Sequence, residues 1–441
     1  MASRDYFKGK RVAVIGLGQQ GEMVEDVKFL IKAGAFVSVY DLKSEARLKN
    51  HLVFLRTVGL ANYVCGSIPA DDLLDMDLII LSHEYPRDSS FLKDIKKIPI
   101  EYPETLFFKL APPVTVVGVM GDCGKATVVS MLSPMLEAAC TAENDQGFFV
   151  VDPESENGIL AHLKKVKSGD LVLMRIIEPM MKELHAIRIS PQVAIFTTVP
   201  GKGSYEESPF EILAFQTYNN FIIASDEIID ATRRFKELPR AKMLRTKASI
   251  LPAEWGLGDM PTWQRGHDRE NAALALQAAR LFKVDDDAAQ HALMKWKPLR
   301  GRLEMVKKVK NVEFYNDTAS LTSSSTQAAV QSVSGDRDTV LVFGGAENAS
   351  DHRALYSLLP KHVHTMVLLP GSGTMRERSS IQKLDNIAVY SAPSVEEAAR
   401  LASEHARKGD KVLFSPGFDA VGMASSRRER GERFVKAVRA L

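Results

Sequence analysis

The stretch Val114-Thr-Val-Val-Gly-Val-Met-Gly-Asp-Cys-Gly-Lys-Ala-Thr127 decides the fold of this 441-residue chain. An apolar, β-branched run ends in a glycine turn, and Gly124-Lys125 then opens a predicted helix. Such a turn lets backbone N–H groups approach phosphate oxygens, while the helix N-terminus and the lysine add positive potential. The stretch therefore predicts a nucleoside triphosphate site inside an α/β domain. The alternative is a tight glycine turn beside a solvated lysine.

A second glycine-rich turn lies near the N-terminus, in Gly16-Leu17-Gly18-Gln19-Gln20-Gly21. It follows a predicted strand, Arg11–Gly16, and opens a predicted helix that continues to about Ala33. A second strand, Ala35–Tyr40, ends at Asp41, twenty residues beyond the last glycine. This is the spacing of a dinucleotide fingerprint, with a diphosphate bound at the helix N-terminus. The alternative is that the glycines only permit close packing of the strand against the helix.

The order of strands and helices predicts an α/β fold of three successive domains. Predicted strands alternate with helices, which favours parallel sheets with ligands at the carboxyl ends of the strands. Further predicted strands are Leu78–Leu81, Asp170–Met174, Gln192–Thr198, Val312–Tyr315, Thr339–Phe343, Thr365–Leu369 and Lys411–Ser415, and further predicted helices are Asp268–Phe282, Ser394–Arg407 and Arg428–Ala440. Ala111-Pro112-Pro113 is a predicted linker, because consecutive prolines stop regular structure. We predict a Rossmann-like domain at 1–111, a phosphate-loop domain at 112–298 and a second Rossmann-like domain at 299–441.

The composition is that of an ordinary globular protein. Hydrophobic residues make up 45% and charged residues 25% of the chain. The formal net charge of +2 gives no reason to propose nucleic acid or an anionic membrane as a partner. Three unpatterned cysteines, Cys65, Cys123 and Cys140, fit a reducing compartment. With a polar N-terminus and no apolar run of membrane-spanning length, we expect a cytoplasmic protein without membrane insertion.

Further motifs follow the two glycine turns in a distinctive order. They are Gly266-His-Asp-Arg-Glu-Asn271, Gly301-Arg-Leu-Glu304, Tyr315-Asn-Asp-Thr318, Val342-Phe-Gly-Gly345, Phe414-Ser-Pro-Gly417 and Arg428-Glu-Arg-Gly-Glu-Arg433. Each alone is explained by a helix cap or a polar strand end. In this order they resemble the Mur ligases, in particular the D-glutamate-adding branch, over essentially the full length. The resemblance implies an N-terminal domain for a UDP group, a central ATPase domain and a C-terminal domain that closes onto ATP.

The resemblance also implies an activity and a set of site residues. The implied activity is an ATP-dependent ligase that joins D-glutamate to UDP-N-acetylmuramoyl-L-alanine through an acyl phosphate in peptidoglycan precursor synthesis, with ATP and Mg²⁺ as cofactors. The implied catalytic residues are Lys125, Asp317 and Arg302; the ATP-binding residues are Gly118, Gly121, Gly124, Lys125, Thr127, Asn271, Arg302 and Asp317; and the substrate-binding residues are Gly16, Gly18, Gly21, Asp41 and Ser415. Among these, Asn271 is expected near adenine, Asp41 near the uridine and Ser415 near the amino acid.

Several positions depart from the family pattern, and the departures concentrate on metal and phosphate ligands. Asp122 brings negative charge to the loop, Ala126 stands where Ser or Thr would hold Mg²⁺, and Arg175 falls where a metal carboxylate is expected. Other departures are Val199-Pro-Gly-Lys-Gly-Ser-Tyr205 for a D-H-x-D-like run, Leu213-Ala-Phe-Gln216 for a carbamylated lysine, Ala319 and Asn348 for lysines, and Ser82-His83-Glu84 for a Ser-Pro-Gly turn. We therefore assign no metal-ligating residue.

Three hypotheses about function result. The first is the ATP-dependent ligase. The second is a catalytically weakened or inactive Mur-ligase-like protein that binds a nucleotide or a protein partner, because phosphoryl transfer depends on the charge neutralisation that these departures remove. The third is a nicotinamide-dependent oxidoreductase. It rests only on the first glycine turn, and the second nucleotide loop and the third domain argue against it.

Overall fold

The computed structural model describes residues 2–18, 21–140, 146–155, 157–198, 210–233, 240–257, 266–347, 350–424 and 426–441. Three sheets lie in this part of the chain, of five, six and six strands. The chain divides into two compact units, Met1–Pro252 with Glu270–Met294, and Ala253–Arg269 with Lys295–Leu441. The first unit carries the first two sheets and the second unit carries the third. The domain boundaries at 111/112 and 298/299 remain predictions.

The first sheet is parallel and surrounds the N-terminal glycine turn. Its strands are β1 Arg11–Ile15, β2 Phe36–Asp41, β3 Asn62–Cys65, β4 Leu78–Leu81 and β5 Ile100–Glu101, in the order β3-β2-β1-β4-β5. Its helices are α1 Ala2–Phe7, α2 Val24–Lys32, α3 Glu45–Thr57, α4 Ala70–Leu74 and α5 Pro103–Leu110, and a 3-10 helix covers Ser90–Leu92. The central strands β1 and β4 are continuous apolar runs, as expected where helices cover both faces of a parallel sheet.

The second sheet is also parallel, and the phosphate-loop strand lies inside it. Its strands are β6 Thr115–Met120, β7 Phe148–Val151, β8 Leu171–Arg175, β9 Val193–Phe196, β10 Phe221–Ala224 and β11 Lys242–Arg245, in the order β11-β10-β9-β6-β8-β7. The helices that follow are α6 Lys125–Ala139, α7 Glu178–Ala186, α8 Asp226–Arg233, α9 Gly266–Leu281 and α10 Asp286–Lys295, with 3-10 helices at Leu160–Lys164, Glu211–Leu213, Ala248–Ile250 and Ala253–Trp255. This order places the carboxyl ends of β8 and β9 on either side of the loop after β6.

The third sheet has one antiparallel strand at its edge. Its strands are β12 Glu304–Val309, β13 Val312–Asn316, β14 Thr339–Phe343, β15 Val363–Leu368, β16 Ala388–Ser391 and β17 Lys411–Phe414, in the order β12-β13-β17-β14-β15-β16. Its helices are α11 Ser323–Val333, α12 Arg353–His362, α13 Ser372–Ile381, α14 Val395–His405 and α15 Arg427–Ala440. Strands β12 and β13 form a hairpin whose two turn residues, Lys310 and Asn311, both have positive φ, as a tight hairpin turn requires. Strand β12 was not predicted.

One apolar core of the first unit extends from the first sheet to the second. The same cluster contains Phe107 of α5 and Leu160 of the neighbouring 3-10 helix. A buried carboxylate reinforces the junction: Asp26 Oδ1 on α2 accepts hydrogen bonds from the backbone N–H groups of Leu160, at 2.7 Å, and Ala161, at 3.4 Å. Burial raises the pKa of Asp26 to about 7.

Across the described ranges, no helix combines the length and the apolar character needed to span a membrane.

Candidate functional site

The predicted strand, glycine turn and helix are formed at the phosphate loop. Strand β6 ends at Met120, Gly121 and Gly124 have φ values of +124° and +85°, and α6 begins at Lys125. A Cβ at Gly124 would lie 2.8 Å from Oδ1 of Asn271, so this position needs glycine both for its backbone conformation and for space. Asn271 therefore lies against the phosphate loop, while its predicted place near adenine stays a prediction.

Two predicted nucleotide contacts fall at the edges of this loop. Gly118 lies within β6, where a Cβ would clash with the side chains of Ile176 and Pro191. Packing therefore explains this glycine, and its contact with a nucleotide stays a prediction. Thr127 lies in the first turn of α6, one residue beyond Ala126.

Lys125 and two threonines fix the shape of the loop. The Nζ atom of Lys125 donates hydrogen bonds to the carbonyl oxygens of Gly121 and, at 3.0 Å, Asp122. The backbone N–H of Asp122 donates to Oγ1 of Thr198 at 2.8 Å, and the hydroxyl of Thr197 donates to the carbonyl oxygen of Met120 at 3.0 Å. Both threonines follow β9. Their role was not predicted from the sequence.

A buried arginine stands beside this loop. Arg175 ends β8, pairs with Val119 of β6 and is 3% exposed. Its Nη2 atom lies 2.7 Å from a carboxylate oxygen of Asp152 and 2.7 Å from one of Glu154, two ion pairs rather than well-directed hydrogen bonds. Burial lowers the pKa of Lys125, and the positive charge of Arg175 lowers it further. The two cations are therefore electrostatic neighbours.

The described residues around the loop do not fit Mg²⁺. Helix α6 begins at Lys125, so Ala126 occupies the metal-binding position and its methyl group offers no ligand. Gln216 belongs to the segment where the resemblance implies a carbamylated lysine. It is buried, and its Nε2 atom donates a hydrogen bond to the carbonyl oxygen of Pro191 at 2.8 Å. Within the described ranges, no group of three or more His, Cys, Asp or Glu side chains is arranged to hold a metal ion. The segment 199–205 and Asn348, which also depart from the family pattern, lie outside the described residues.

Asp41 ties the N-terminal glycine turn to the end of β2. Its carboxylate is fully buried and accepts hydrogen bonds from the backbone N–H groups of Leu17, at 3.0 Å, and Lys43, at 2.9 Å. Gly16, Gly18 and Gly21 form the described part of the turn after β1, and Gln19 and Gln20 lie outside the described residues. The contact of Asp41 with a uridine stays a prediction, because the backbone contacts alone explain an acid here.

The segment Ser82-His83-Glu84 adds one acid and a histidine beside this turn. Lys43 Nζ lies 2.6 Å from a carboxylate oxygen of Glu84 and 3.3 Å from the carbonyl oxygen of Gly18. His83 Nε2 lies 3.0 Å from Oε1 of the buried Glu104. Burial alone would lower the pKa of His83, but the hydrogen bond to Glu104 and the negative charges of Glu104, Glu183 and Glu22 together outweigh it, and the pKa is raised. The negative charge of Glu84 is therefore paired with Lys43.

In the third domain, the structure brings the predicted Asp317, Ser415 and Arg302 together. Asp317 follows β13 and Ser415 follows the neighbouring β17, so the two residues meet at the carboxyl edge of the sheet. The hydroxyl of Ser415 donates to Oδ2 of Asp317 at 2.8 Å, and the backbone N–H of Leu303 donates to Oδ1 at 3.1 Å. Burial raises the pKa of Asp317 to about 6, while these hydrogen bonds and the charge of Arg302 oppose the rise.

The predicted residues thus form three groups, one in each sheet, and each group lies at the carboxyl ends of the strands of its own sheet. Asp41 ends β2, Lys125 begins the helix after β6, and Asp317 and Ser415 follow β13 and β17. This edge is where open α/β sheets bind ligands. The roles assigned to individual residues stay predictions.

Comparisons with known proteins support the resemblance predicted from the sequence. Residues 301–418 match the model of the Mur ligase, glutamate ligase domain. The UDP-N-acetylmuramoylalanine–D-glutamate ligase of Clostridioides difficile (strain 630) is 26% identical, over 97% of this chain and 98% of its own. The corresponding ligase of Geotalea daltonii is 27% identical, over 98% of each chain.

Solved structures agree on the fold. The UDP-N-acetylmuramate–alanine ligase of Thermotoga maritima matches with a TM-score of 0.58 at 14% identity, covering 98% of this chain and 99% of its own. The MurF ligase of Thermotoga maritima, solved in complex with ADP, matches with a TM-score of 0.54 at 15% identity, covering 100% and 96%. The chain therefore has the three-domain α/β architecture of the Mur ligases, and the resemblance to that family predicted from its sequence is confirmed.

Proposed function

We propose that the chain is an ATP-dependent, amide-forming ligase of the Mur type that joins D-glutamate to UDP-N-acetylmuramoyl-L-alanine in peptidoglycan precursor synthesis. The observation that carries the proposal is the phosphate loop, in which Gly121, Gly124 and Lys125 lie at the N-terminus of α6. The full-length similarity to D-glutamate ligases supports the choice of substrates. The neighbouring fold of an ADP-bound MurF ligase supports ATP as the nucleotide.

In this reaction ATP transfers its γ-phosphoryl group to the substrate carboxylate, which gives an acyl phosphate and ADP. The amine of D-glutamate then attacks the acyl carbon, an amide forms, and inorganic phosphate leaves with loss of a proton from the amine. Lys125 would neutralise negative charge that develops on the transferred group, and the helix N-terminus would bind the phosphates through backbone N–H groups. Asp317 and Arg302 would take the nucleotide-binding role that the resemblance implies for them.

A second candidate function is a nucleotide-binding protein with weakened or absent ligase activity. The observation that favours it is Arg175, a buried cation bound to Asp152 and Glu154 where the resemblance implies a metal carboxylate. Phosphoryl transfer depends on the positioning and neutralisation of charge, so a change of this kind affects the rate more than the binding of nucleotide.

The test is phosphate release by the full chain with ATP, UDP-N-acetylmuramoyl-L-alanine and D-glutamate, measured with and without Mg²⁺. We expect Lys125→Ala to lower the rate by about 100-fold, the usual effect of losing one group that stabilises transition-state charge. Lys49→Ala is the matched control, because Lys49 is exposed on α3 of the first sheet. Release equal in wild type and Lys125→Ala contradicts the ligase proposal. If the wild-type chain still binds ATP in that case, the second candidate, a nucleotide-binding protein, replaces the ligase proposal.

A further inference from the structure

The position of Arg175 places a permanent positive charge next to the phosphate loop. Arg175 pairs with Val119 in β6, two residues before Gly121, and the next backbone N–H, of Ile176, donates to the carbonyl oxygen of Val119 at 2.9 Å. A guanidinium stays protonated under all ordinary conditions and offers five N–H donors in a planar fork that matches phosphate oxygens. The charge therefore cannot be lost by titration.

The surroundings of Arg175 orient it without using all its donors. Asp152 and Glu154 both approach the single atom Nη2, and Nε has no hydrogen-bond partner among the residues that the structure describes. A buried N–H donor without a partner costs free energy, so it favours the arrival of an acceptor. A phosphate oxygen is such an acceptor.

Solvent exposure differs between the arginine and its two acids. The side chain of Arg175 is 4% exposed, whereas those of Asp152 and Glu154 are 25% and 33% exposed. Water screens the two carboxylates more than the guanidinium, and at Lys125 the positive charge of Arg175 has a larger effect than the negative charge of Glu154.

We infer that Arg175 supplies, as a fixed cation, the charge that a divalent metal supplies in other phosphate-loop proteins, so that nucleoside triphosphate binds at the Lys125 loop without a divalent cation. The inference deepens the proposed function and rests on the Lys125 loop being its nucleotide site. It explains why Ala126, which offers no metal ligand, and Arg175 occur together in one chain.

The experiment is calorimetric titration of the full chain with ATP, once in excess Mg²⁺ and once in excess EDTA. We expect the two dissociation constants of the wild type to agree within about threefold. Arg175→Met should weaken binding in EDTA by about 10- to 100-fold, the usual effect of losing a hydrogen bond from a charged donor. Mg²⁺ should restore part of that loss, because Asp152 and Glu154 would then lack their cation.

A matched control comes from the other end of the same sheet. Arg245 ends β11 and also bridges two carboxylates, those of Asp226, at 2.7 Å, and Asp230, at 2.9 Å. Arg245→Met should leave both dissociation constants unchanged. Arg175→Lys keeps the charge and should retain most of the affinity in EDTA.

The outcomes separate the inference from the proposed function. Binding by the wild type that is more than about tenfold weaker in EDTA than in Mg²⁺ overturns the inference and leaves the ligase proposal standing. No binding in either condition overturns both. The wild-type comparison needs no variant, so it decides the inference even if Arg175→Met does not fold.

Discussion

Asp26 offers a direct test of how the first two sheets are joined. Its carboxylate is 1% exposed and accepts hydrogen bonds from the backbone N–H groups of Leu160 and Ala161. Burial raises its pKa from 3.8 to about 7 in the folded protein. Between these two values the folded state holds a proton that the unfolded state has lost. Stability is therefore greatest at low pH and falls as the pH rises through the folded-state pKa.

The size of this effect follows from the two pKa values. With 3.8 in the unfolded state and about 7 in the folded state, proton linkage makes the unit less stable by about 2 kcal/mol at about pH 8.5 than at about pH 5.5. Asp26→Asn keeps an acceptor oxygen but cannot ionise, so its stability should lack this contribution. Asp26→Ala removes the acceptor, leaves buried N–H groups unpaired and should cost about 1–3 kcal/mol at both pH values.

Hydrogen exchange is the appropriate assay. Trp255 and Trp296 belong to the second unit, so tryptophan fluorescence would follow the wrong transition. Exchange of a peptide covering 157–166, measured by mass spectrometry at both pH values and corrected for intrinsic rates, reports the stability of the junction itself. Asp71→Asn, an exposed position in α4, is the control. An equal pH dependence in wild type and Asp26→Asn would refute the reasoning.

Two further predictions concern the contact between Ser415 and Asp317 and the phosphate loop. Ser415→Ala removes the hydroxyl that donates to Asp317 at 2.8 Å, so the pKa of Asp317 should rise above about 6. A carboxyl carbon titration by NMR checks this, and an unchanged or lower pKa contradicts it. Gly124→Ala should cost about 1–2 kcal/mol of stability for its left-handed backbone alone, plus the cost of the 2.8 Å contact with Asn271. In urea denaturation followed by circular dichroism, adding Asn271→Ala should recover part of that loss, whereas strict additivity would count against the contact.

Two apolar strands were predicted closely from the sequence, and the edge strand β12 was not. The predicted strands Leu78–Leu81 and Thr339–Phe343 match β4 and β14, because each is an apolar run buried on both faces. Strand β12 was missed, since Glu304–Val309 mixes charged and apolar residues at a partly exposed edge. Its pairing depends on the hairpin at Lys310 and Asn311, whose positive φ values have no glycine to mark them.

In the candidate site, the residues of a local sequence pattern could be predicted, and the residues brought together by the strand order could not. Gly121, Gly124 and Lys125 could be predicted because a local pattern encodes the turn and the helix start. The sequence also marked Arg175 as a departure. Its partners Asp152 and Glu154 could not be found, because they follow β7, whose place beside β8 depends on the strand order of the folded sheet. The roles of Thr197 and Thr198, which follow β9, could not be predicted for the same reason.

The continuous core of the first unit has a consequence for synthesis on the ribosome. The chain emerges from its N-terminus, so β1 to α5 are complete before Leu160 and Leu163 have been translated. Leu106 and Phe107 are at most 1% exposed in the finished protein and share their apolar cluster with those later residues. The nascent N-terminal domain must therefore carry an uncovered apolar surface, and an Asp26 without its later backbone partners, until the next domain begins to fold. During that interval the exposed surface makes the nascent chain prone to aggregation.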